Sequence, residues 1–174
     1  VTIWVKFPIT AAPQAELVGA KAVIWTTTTW TIPGNRAMAF HDDIKYGVYR
    51  VDAVADGSLA QVGERLIIAD ETAEATAQAA KVESWTREDI NVDLTGVIAQ
   101  HPLNGQGYDY DVPLFHGDYV TTEQGTGLVH IAPGHGFDDW QLATVKHGIE
   151  VPMTVAEDGS FYDHVPLFAG LTVY

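Results

Sequence analysis

The sequence predicts a single α+β domain that is mostly β, in which the strands form a twisted or closed β-barrel-like sheet with a few short helices. Short runs rich in β-branched and aromatic residues recur along the chain between Gly, Pro, Asn and Asp. Only two stretches have a helical pattern. A length of 174 residues fits one domain, residues 1–174, with a core large enough to fold without metal or disulfide staples.

Seven strands are predicted from alternating or continuous apolar runs that are bounded by turn residues. In chain order they are Val1–Phe7, Ala22–Thr28, Arg36–Phe40, Tyr46–Val51, Glu64–Ile68, Val92–Ala99 and Gly127–Ala132. Near the end of the chain, the polar segment 157–160 predicts a turn between two further short strands.

Two helices are predicted. The first is the alanine-rich stretch Asp70–Val82, and the second is Phe137–His147, which ends in basic residues followed by Gly148. The second helix follows the loop Pro133–Gly136. Its free N–H groups and the positive end of its dipole should therefore point toward whatever this loop faces.

Composition excludes several classes of function. The chain has no cysteine, which rules out disulfide scaffolds, thiolate zinc sites and cysteine nucleophiles and is compatible with the cytoplasm. No apolar run approaches the roughly 20 residues of a membrane helix, so we expect a soluble protein without membrane contacts. The net charge of -14, from 9 basic and 23 acidic residues, argues against broad binding of nucleic acid. The strand pattern begins directly at Val1, so we expect an excised piece of a longer protein.

Two motifs carry the functional signal. The first is WTTTTWTIPGN, from Trp25 to Asn35, and the second is GTGLVHIAPGHGFDD, from Gly125 to Asp139. Together they resemble the editing domain of isoleucyl-tRNA synthetases, and the resemblance covers nearly the whole chain. Such enzymes insert this domain into a catalytic fold whose HIGH-type and KMSKS-type signatures are absent from these residues. The resemblance therefore implies a domain that edits but does not itself activate amino acids.

The resemblance implies hydrolysis of valyl-tRNA(Ile). A synthetic pocket shaped for isoleucine cannot strongly reject a side chain smaller by one methylene, and isoleucyl-tRNA synthetases are the standard example of this limit and of its double-sieve solution. We expect the partners to be the aminoacylated 3′ end of tRNA(Ile) with its valine moiety, and the rest of the synthetase, which would hold the tRNA body. A monomer is expected. Whether valyl-adenylate is also hydrolysed stays open.

The threonine run is the predicted wall of the pocket. By the resemblance, its substrate-binding residues are Trp30 and Asn35 and its catalytic residues are Thr27 and Thr28. Thr26 is a further candidate for substrate binding. Each Thr supplies a stiff methyl group that limits volume and a hydroxyl that can hold water. On a strand, Thr26 and Thr28 would face one side while Thr27 and Thr29 face the other. Thr is also good strand material, so each could instead pack in the sheet. The related synthetases usually have proline where Thr29 stands.

The second motif supplies the other predicted site residues. The resemblance implies catalytic roles for His130 and Asp139. Gly134, His135 and Asp138 are further candidates for substrate contact, because glycine lets the substrate approach the backbone closely and the other two lie beside it in the motif. His130 would position the amino acid or the attacking water, and Asp139 would grip the α-ammonium group, which needs a charge partner when buried. The alternatives are a structural histidine and carboxylates that only complement the helix dipole.

Direct attack by water is the predicted mechanism. The chain has neither a Ser-His-Asp order nor a Gly-x-Ser-x-Gly elbow. We expect Thr hydroxyls, His130 and the substrate's terminal ribose hydroxyl to orient water at an already activated ester. No cofactor is expected for editing, since ATP belongs to the missing synthetic domain.

Three other hypotheses for the function of the domain are open. The nearest is a valyl- or leucyl-tRNA synthetase editing domain, although these usually carry arginine in the threonine motif and lack a histidine in the Gly-Thr-Gly segment. A second is a metal-dependent hydrolase with His130, His135 and Asp139 as ligands. A third is a non-catalytic acidic binding module, in which the same residues are structural.

Overall fold

The computed structural model describes residues 1–174 and contains one sheet of nine strands. The strands are β1 (Ile3–Ala11), β2 (Lys21–Thr26), β3 (Ala37–Phe40), β4 (Tyr46–Val54), β5 (Arg65–Ala69), β6 (Val82–Arg87), β7 (Ile98–Gln100), β8 (Asp111–His116) and β9 (Val129–Ile131). Their order in the sheet is β6-β4-β5-β2-β1-β7-β8-β3-β9. The pairs β2–β5 and β3–β8 are parallel, and the other neighbours are antiparallel.

The helices are few and short, which confirms the mostly β, α+β prediction. Two are α-helical, α1 (Ala73–Ala79) and α2 (Phe137–Trp140), and the second continues as a π-helix over Gln141–Lys146. Three 3₁₀ segments cover Ala15–Leu17, Thr29–Gly34 and Asp70–Thr72. None of these helices has the length and apolar character needed to cross a membrane.

The sheet curls around its main core but does not close. A cluster of 19 buried residues from both ends of the strand order, including Phe7, Ile24, Met38 and Ile67, fills its inner face. The two edge strands β6 and β9 do not pair with one another. The segment before β9 nevertheless crosses back over the sheet, where Thr126 O accepts the Ala69 N–H at 2.8 Å. The fold is therefore a twisted, open sheet and not a closed barrel.

A close backbone approach holds this crossing segment in place. Gly127 has φ +81°, and a Cβ atom there would lie 2.5 Å from the Cβ of Ala69. Only glycine suits both the left-handed backbone and this contact. The Tyr46 hydroxyl donates to Gly127 O, and the Thr126 hydroxyl donates to Val23 O. This crossing fixes where β9 begins, and β9 carries His130.

The first-motif strand ends earlier than predicted. The predicted strand Ala22–Thr28 stops at Thr26, and Thr29 opens a 3₁₀ helix. The prediction that Thr26 and Thr28 face opposite to Thr27 and Thr29 on one strand is therefore wrong. The physical reason is the Thr26 side chain, whose Oγ1 accepts the Thr28 N–H at 3.0 Å and turns the chain.

The other predicted elements exist with shifted bounds, and two strands were missed. The strand Val92–Ala99 is real only at its end, as β7, and the helix Asp70–Val82 stops at Ala79. After that helix Lys81 adopts φ +57°, which redirects the chain into the unpredicted strand β6. The unpredicted β8 contains Pro113, a residue that argues against a strand in a sequence pattern. The turn at 157–160 is confirmed, with Val155 bridged to Phe161.

Candidate functional site

The sheet brings the two sequence motifs together. Strand β9 pairs antiparallel with β3, so that His130 lies opposite Met38. The 3₁₀ helix Thr29–Gly34 leads through Asn35 directly into β3. The end of the first motif therefore lies beside the middle of the second.

His130 is the centre of a buried hydrogen-bond chain. Its side chain is buried, and its Nδ1 lies 2.9 Å from Asn35 Nδ2. The same Nδ2 donates to Ala37 O, also at 2.9 Å, which fixes the orientation of the amide. His130 Nδ1 must therefore accept a hydrogen bond from Asn35 Nδ2, and the neutral ring carries its hydrogen on Nε2.

The hydrogen-bond chain continues from His130 through Thr31 to the threonine run. His130 Nε2 lies 2.8 Å from Thr31 Oγ1, and that hydroxyl in turn donates to Thr28 O at 2.8 Å. Through Thr31, His130 thus fixes the backbone of the 3₁₀ turn at the carbonyl of Thr28. Sequence reasoning did not identify Thr31. The signal that could have found it is its spacing of three residues from Thr28, which places the two on one side of a 3₁₀ turn.

Burial keeps His130 neutral. Loss of solvation is the main cause, with smaller contributions from the charges of His101 and His135, and together they lower the pKa of His130 from 6.5 to about 4. Both ring nitrogens already have protein partners. This geometry suits a residue that positions its neighbours better than one that moves a proton.

Asn35 has a further feature. It is completely buried, and its Oδ1 has no hydrogen-bond partner. An unpaired buried acceptor costs free energy, so the orientation that serves His130 and Ala37 is maintained at the expense of Oδ1.

The threonines present free hydroxyls to the surface. Thr27 and Thr28 are exposed, and Thr26 is half-buried with its hydroxyl engaged by the Thr28 N–H. The Thr28 carbonyl is engaged by Thr31. The side-chain hydroxyls of Thr27 and Thr28 have no partner in the protein, so both can hold water or a substrate oxygen.

Trp30 and His135 form a packed pair beside this surface. Their rings meet edge to face with centroids 4.9 Å apart, and His135 Nε2 bonds Thr154 Oγ1 at 2.9 Å. Burial lowers the pKa of His135. A Cβ atom at Gly34 would lie 3.2 Å from the His135 ring, so the ring rests on the backbone of the first motif. The His135 ring is therefore held between Trp30, Thr154 and the backbone of Gly34.

Asp139 is anchored at one oxygen and open at the other. Its Oδ2 accepts the Ala132 N–H at 2.9 Å, whereas Oδ1 has no protein partner. The site is half-buried, and this burial raises the pKa of Asp139, with a smaller contribution from the charge of Asp138. A carboxylate in this setting gains from a cation. Asp138, by contrast, is exposed at the start of α2.

Among the predicted site residues, only Asp138 lines one of the four best-defined cavities, a cleft that it shares with Tyr119 and His116. Gly134 is exposed, and a Cβ atom at this position would lie 2.9 Å from Pro152 O.

The metal-dependent hydrolase hypothesis requires His130, His135 and Asp139 to bind one ion, but these residues have separate hydrogen-bond partners. His130 bonds Asn35 and Thr31, His135 bonds Thr154, and Asp139 bonds the Ala132 backbone. Their ligand atoms are not among those that converge to within 4.8 Å of one another. The arrangement therefore gives no support to a metal centre made from these three.

Similar sequences are found among aminoacyl-tRNA synthetases. The family described as leucyl-tRNA synthetase, editing domain, matches residues 61–166. Isoleucine–tRNA ligase of Caulobacter vibrioides is 51% identical over 178 residues, and that of Gluconobacter oxydans is 45% identical over 179. Each alignment covers 99% of this chain, which spans only 18% of the length of those relatives.

The fold has a counterpart among solved structures. The crystal structure of GlLeuRS-CP1 superimposes with a TM-score of 0.65 over 99% of this chain and 91% of that one, at 15% sequence identity. At this identity the likeness concerns the fold alone.

Proposed function

Because the chain belongs to the aminoacyl-tRNA synthetase editing-domain family, as the editing domain of an isoleucyl-tRNA synthetase, we propose that it hydrolyses the ester bond of misacylated valyl-tRNA(Ile). The observation that carries this proposal is the half-buried carboxylate of Asp139, anchored at one oxygen and open at the other. It lies on the motif that packs against the threonine run.

Asp139 is proposed to bind the α-ammonium group of the aminoacyl ester. The Ala132 N–H fixes Oδ2, so Oδ1 has a defined direction in which to accept from the ligand. Burial raises the pKa of Asp139, which means that its ionised form is poorly solvated. An ammonium group would replace the missing solvation and form a charge-assisted hydrogen bond.

Thr27 and Thr28 are proposed to hold the attacking water and the ester oxygen through their free hydroxyls. Neutral His130 would act on them indirectly, because it fixes the carbonyl of Thr28 through Thr31. Catalysis would then consist of positioning and polarisation, with the substrate's terminal ribose hydroxyl as a further orienting group. No cofactor is needed for such a reaction.

Discrimination between valine and isoleucine is proposed to depend on the packed pair of Trp30 and His135. Trp30 cannot yield without displacing His135, and His135 is fixed by Thr154. Tight packing makes one extra methylene costly. Valine would be admitted and isoleucine excluded.

The substrate is proposed to enter by its single-stranded 3′ end alone. A net charge of -14 is unfavourable for contact with many phosphates. The tRNA body would be bound by the rest of a longer synthetase chain, into which these 174 residues are inserted as one domain. A monomer and a cytoplasmic location complete the proposal.

A small substrate analogue tests this site without tRNA. A hydrolysis-resistant valyl-adenosine analogue should bind the chain in calorimetry, and the isoleucyl analogue should bind at least tenfold more weakly. Asp139→Asn should abolish binding, whereas Asp56→Asn, which changes an exposed carboxylate outside both motifs, should leave it within twofold. Equal binding of both analogues, or equal effects of both substitutions, would contradict the proposal.

A further inference from the structure

A second cluster of ligating side chains lies outside both motifs. Strands β3 and β8 run parallel, with Phe40 in register with His116. His41, which directly follows β3, therefore meets the end of β8. The rings of His41 and His116 have centroids 4.7 Å apart, and His116 Nε2 lies 2.8 Å from Asp118 Oδ1. The parallel pairing thus brings two imidazoles and a carboxylate to one edge of the sheet.

The ligand atoms of this cluster already converge. One atom each from His41, His116 and Asp118 lies within 4.8 Å of the other two. Ligand atoms around a tetrahedral zinc ion are roughly 3.3 Å apart, so Asp118 Oδ1, now 2.8 Å from His116 Nε2, would have to move slightly away from it while the wider separations in the cluster close. The Asp118 side chain is 96% exposed and can move without disturbing packing. Two imidazoles and one carboxylate are a donor set that Zn²⁺ and related transition metals favour, with open positions left for water.

One further carboxylate lies beside each imidazole. Asp42 Oδ2 lies 3.3 Å from His116 Nδ1, and Asp43 Oδ2 lies 3.9 Å from His41 Nδ1. A histidine bound to a metal through one nitrogen usually donates its other N–H to a carboxylate. The backbone N–H groups of Asp42 and Asp43 now point at these Nδ1 atoms. Binding would exchange them for the carboxylates while the exposed N–H groups turn to water.

The charge of the surroundings also favours a cation. Three carboxylates, those of Asp42, Asp43 and Asp118, lie around the two imidazoles, and Lys146 is the ammonium group whose charge reaches Asp118. The local balance is negative.

We propose that His41, His116 and Asp118 form a binding site for one divalent transition metal ion, with Zn²⁺ as the natural occupant. The ion would clip the end of β3 to the end of β8 and so fix the turn into β4. The three proposed ligands belong to neither motif, although Asp138 of the second motif lines the same cleft as His116 and Asp118.

Metal titration tests the site directly. The untagged chain is passed over a chelating resin and titrated with ZnCl₂ in a calorimeter, and with CoCl₂ while the visible absorption is followed. The variants are His41→Gln, His116→Gln and Asp118→Asn. The control is His164→Gln, an exposed histidine whose Nε2 bonds Met153 O far along the chain.

The expected result is one zinc ion per chain and a cobalt absorption band. Each of the three substitutions should weaken binding at least tenfold, and His164→Gln should change it less than twofold. Asp118→Asn alters a fully exposed side chain, so its effect cannot be attributed to misfolding. Absence of saturable binding, sensitivity to only one of the two histidines, or equal sensitivity to His164→Gln would overturn the proposal.

Discussion

Asn35, His130 and Thr31 form a hydrogen-bond chain whose direction is determined at every step. The Asn35 Nδ2 group can only donate, so His130 Nδ1 accepts, its Nε2–H donates to Thr31, and Thr31 donates to Thr28 O. The resemblance named Asn35 and His130 from sequence but not Thr31. These hydrogen bonds depend on the turn after Thr26. A threonine run does not predict such a turn, because Thr favours strands.

The lowered pKa of His130 predicts acid sensitivity. The unfolded chain takes up a proton on this residue near pH 6.5, while the folded chain does so only near pH 4. The contribution is therefore complete above pH 6.5 and is lost as the pH falls toward 4, with about 2 kcal/mol lost between pH 7 and 5. Urea unfolding at both pH values measures this loss. His130→Gln should lose about 2 kcal/mol less than the parent, and an identical loss in both proteins would refute the prediction.

The hydroxyl of Thr31 should be needed for stability. Thr31→Val keeps the shape but leaves Thr28 O and the His130 Nε2–H without their partner, at a cost of about 1–3 kcal/mol. Thr31→Ser retains the hydroxyl and should cost less than half as much. Denaturant unfolding at pH 7 gives both values, and similar losses for the two variants would show that the methyl group matters more than the hydrogen bonds.

The ionised Asp139 carboxylate should serve substrate binding but lower the free energy of unfolding. Burial raises its pKa in the folded state, so the folded chain is favoured when the group is protonated, and this contribution is lost as the pH rises through the raised pKa. Asn can still accept the Ala132 N–H. Asp139→Asn should therefore be at least as stable as the parent at pH 7 in thermal unfolding. A lower melting temperature would indicate that the carboxylate has a structural role.

At the scale of elements, the short 3₁₀ helix Thr29–Gly34 does most to shape the site. It replaces the end of a predicted strand and carries Trp30 and Thr31 to their partners. Strands with continuous apolar runs, such as β4 and β5, were predictable. The edge strand β6 was not, because its side chains at Glu83 and Ser84 are exposed and polar, and an edge strand of this kind lacks a sequence pattern.

Proline at position 29 should be tolerated here. Thr29 is the first residue of the 3₁₀ helix, a position where Pro is favoured because its missing N–H has no helical partner. Thr29→Pro should leave stability unchanged or raise it by about 0.4–1 kcal/mol through the unfolded chain. Thermal unfolding tests this. Destabilisation by more than about 1 kcal/mol would mean that the turn differs from the one described.

At the scale of the whole molecule, the chain is an open, curled sheet with a strongly acidic surface. Whether such a sheet closes depends on pairings between distant segments, such as β3 with β8 and β9, and local patterns carry no information on them. The sequence could therefore predict strands but leave the closure open. The charge of -14 leads us to expect weak binding of tRNA by this chain alone.

Deacylation is the measurement that tests the central claim most directly. At high protein concentration and low salt, the chain is incubated with valyl-tRNA(Ile) and isoleucyl-tRNA(Ile), beside Asp139→Asn and the control Asp56→Asn, which changes an exposed carboxylate outside both motifs. Valine should be released at least tenfold faster than isoleucine, Asp139→Asn should lose this activity while remaining folded by circular dichroism, and Asp56→Asn should keep it. Release of both amino acids at equal rates, or full activity in Asp139→Asn, would contradict the proposed editing site.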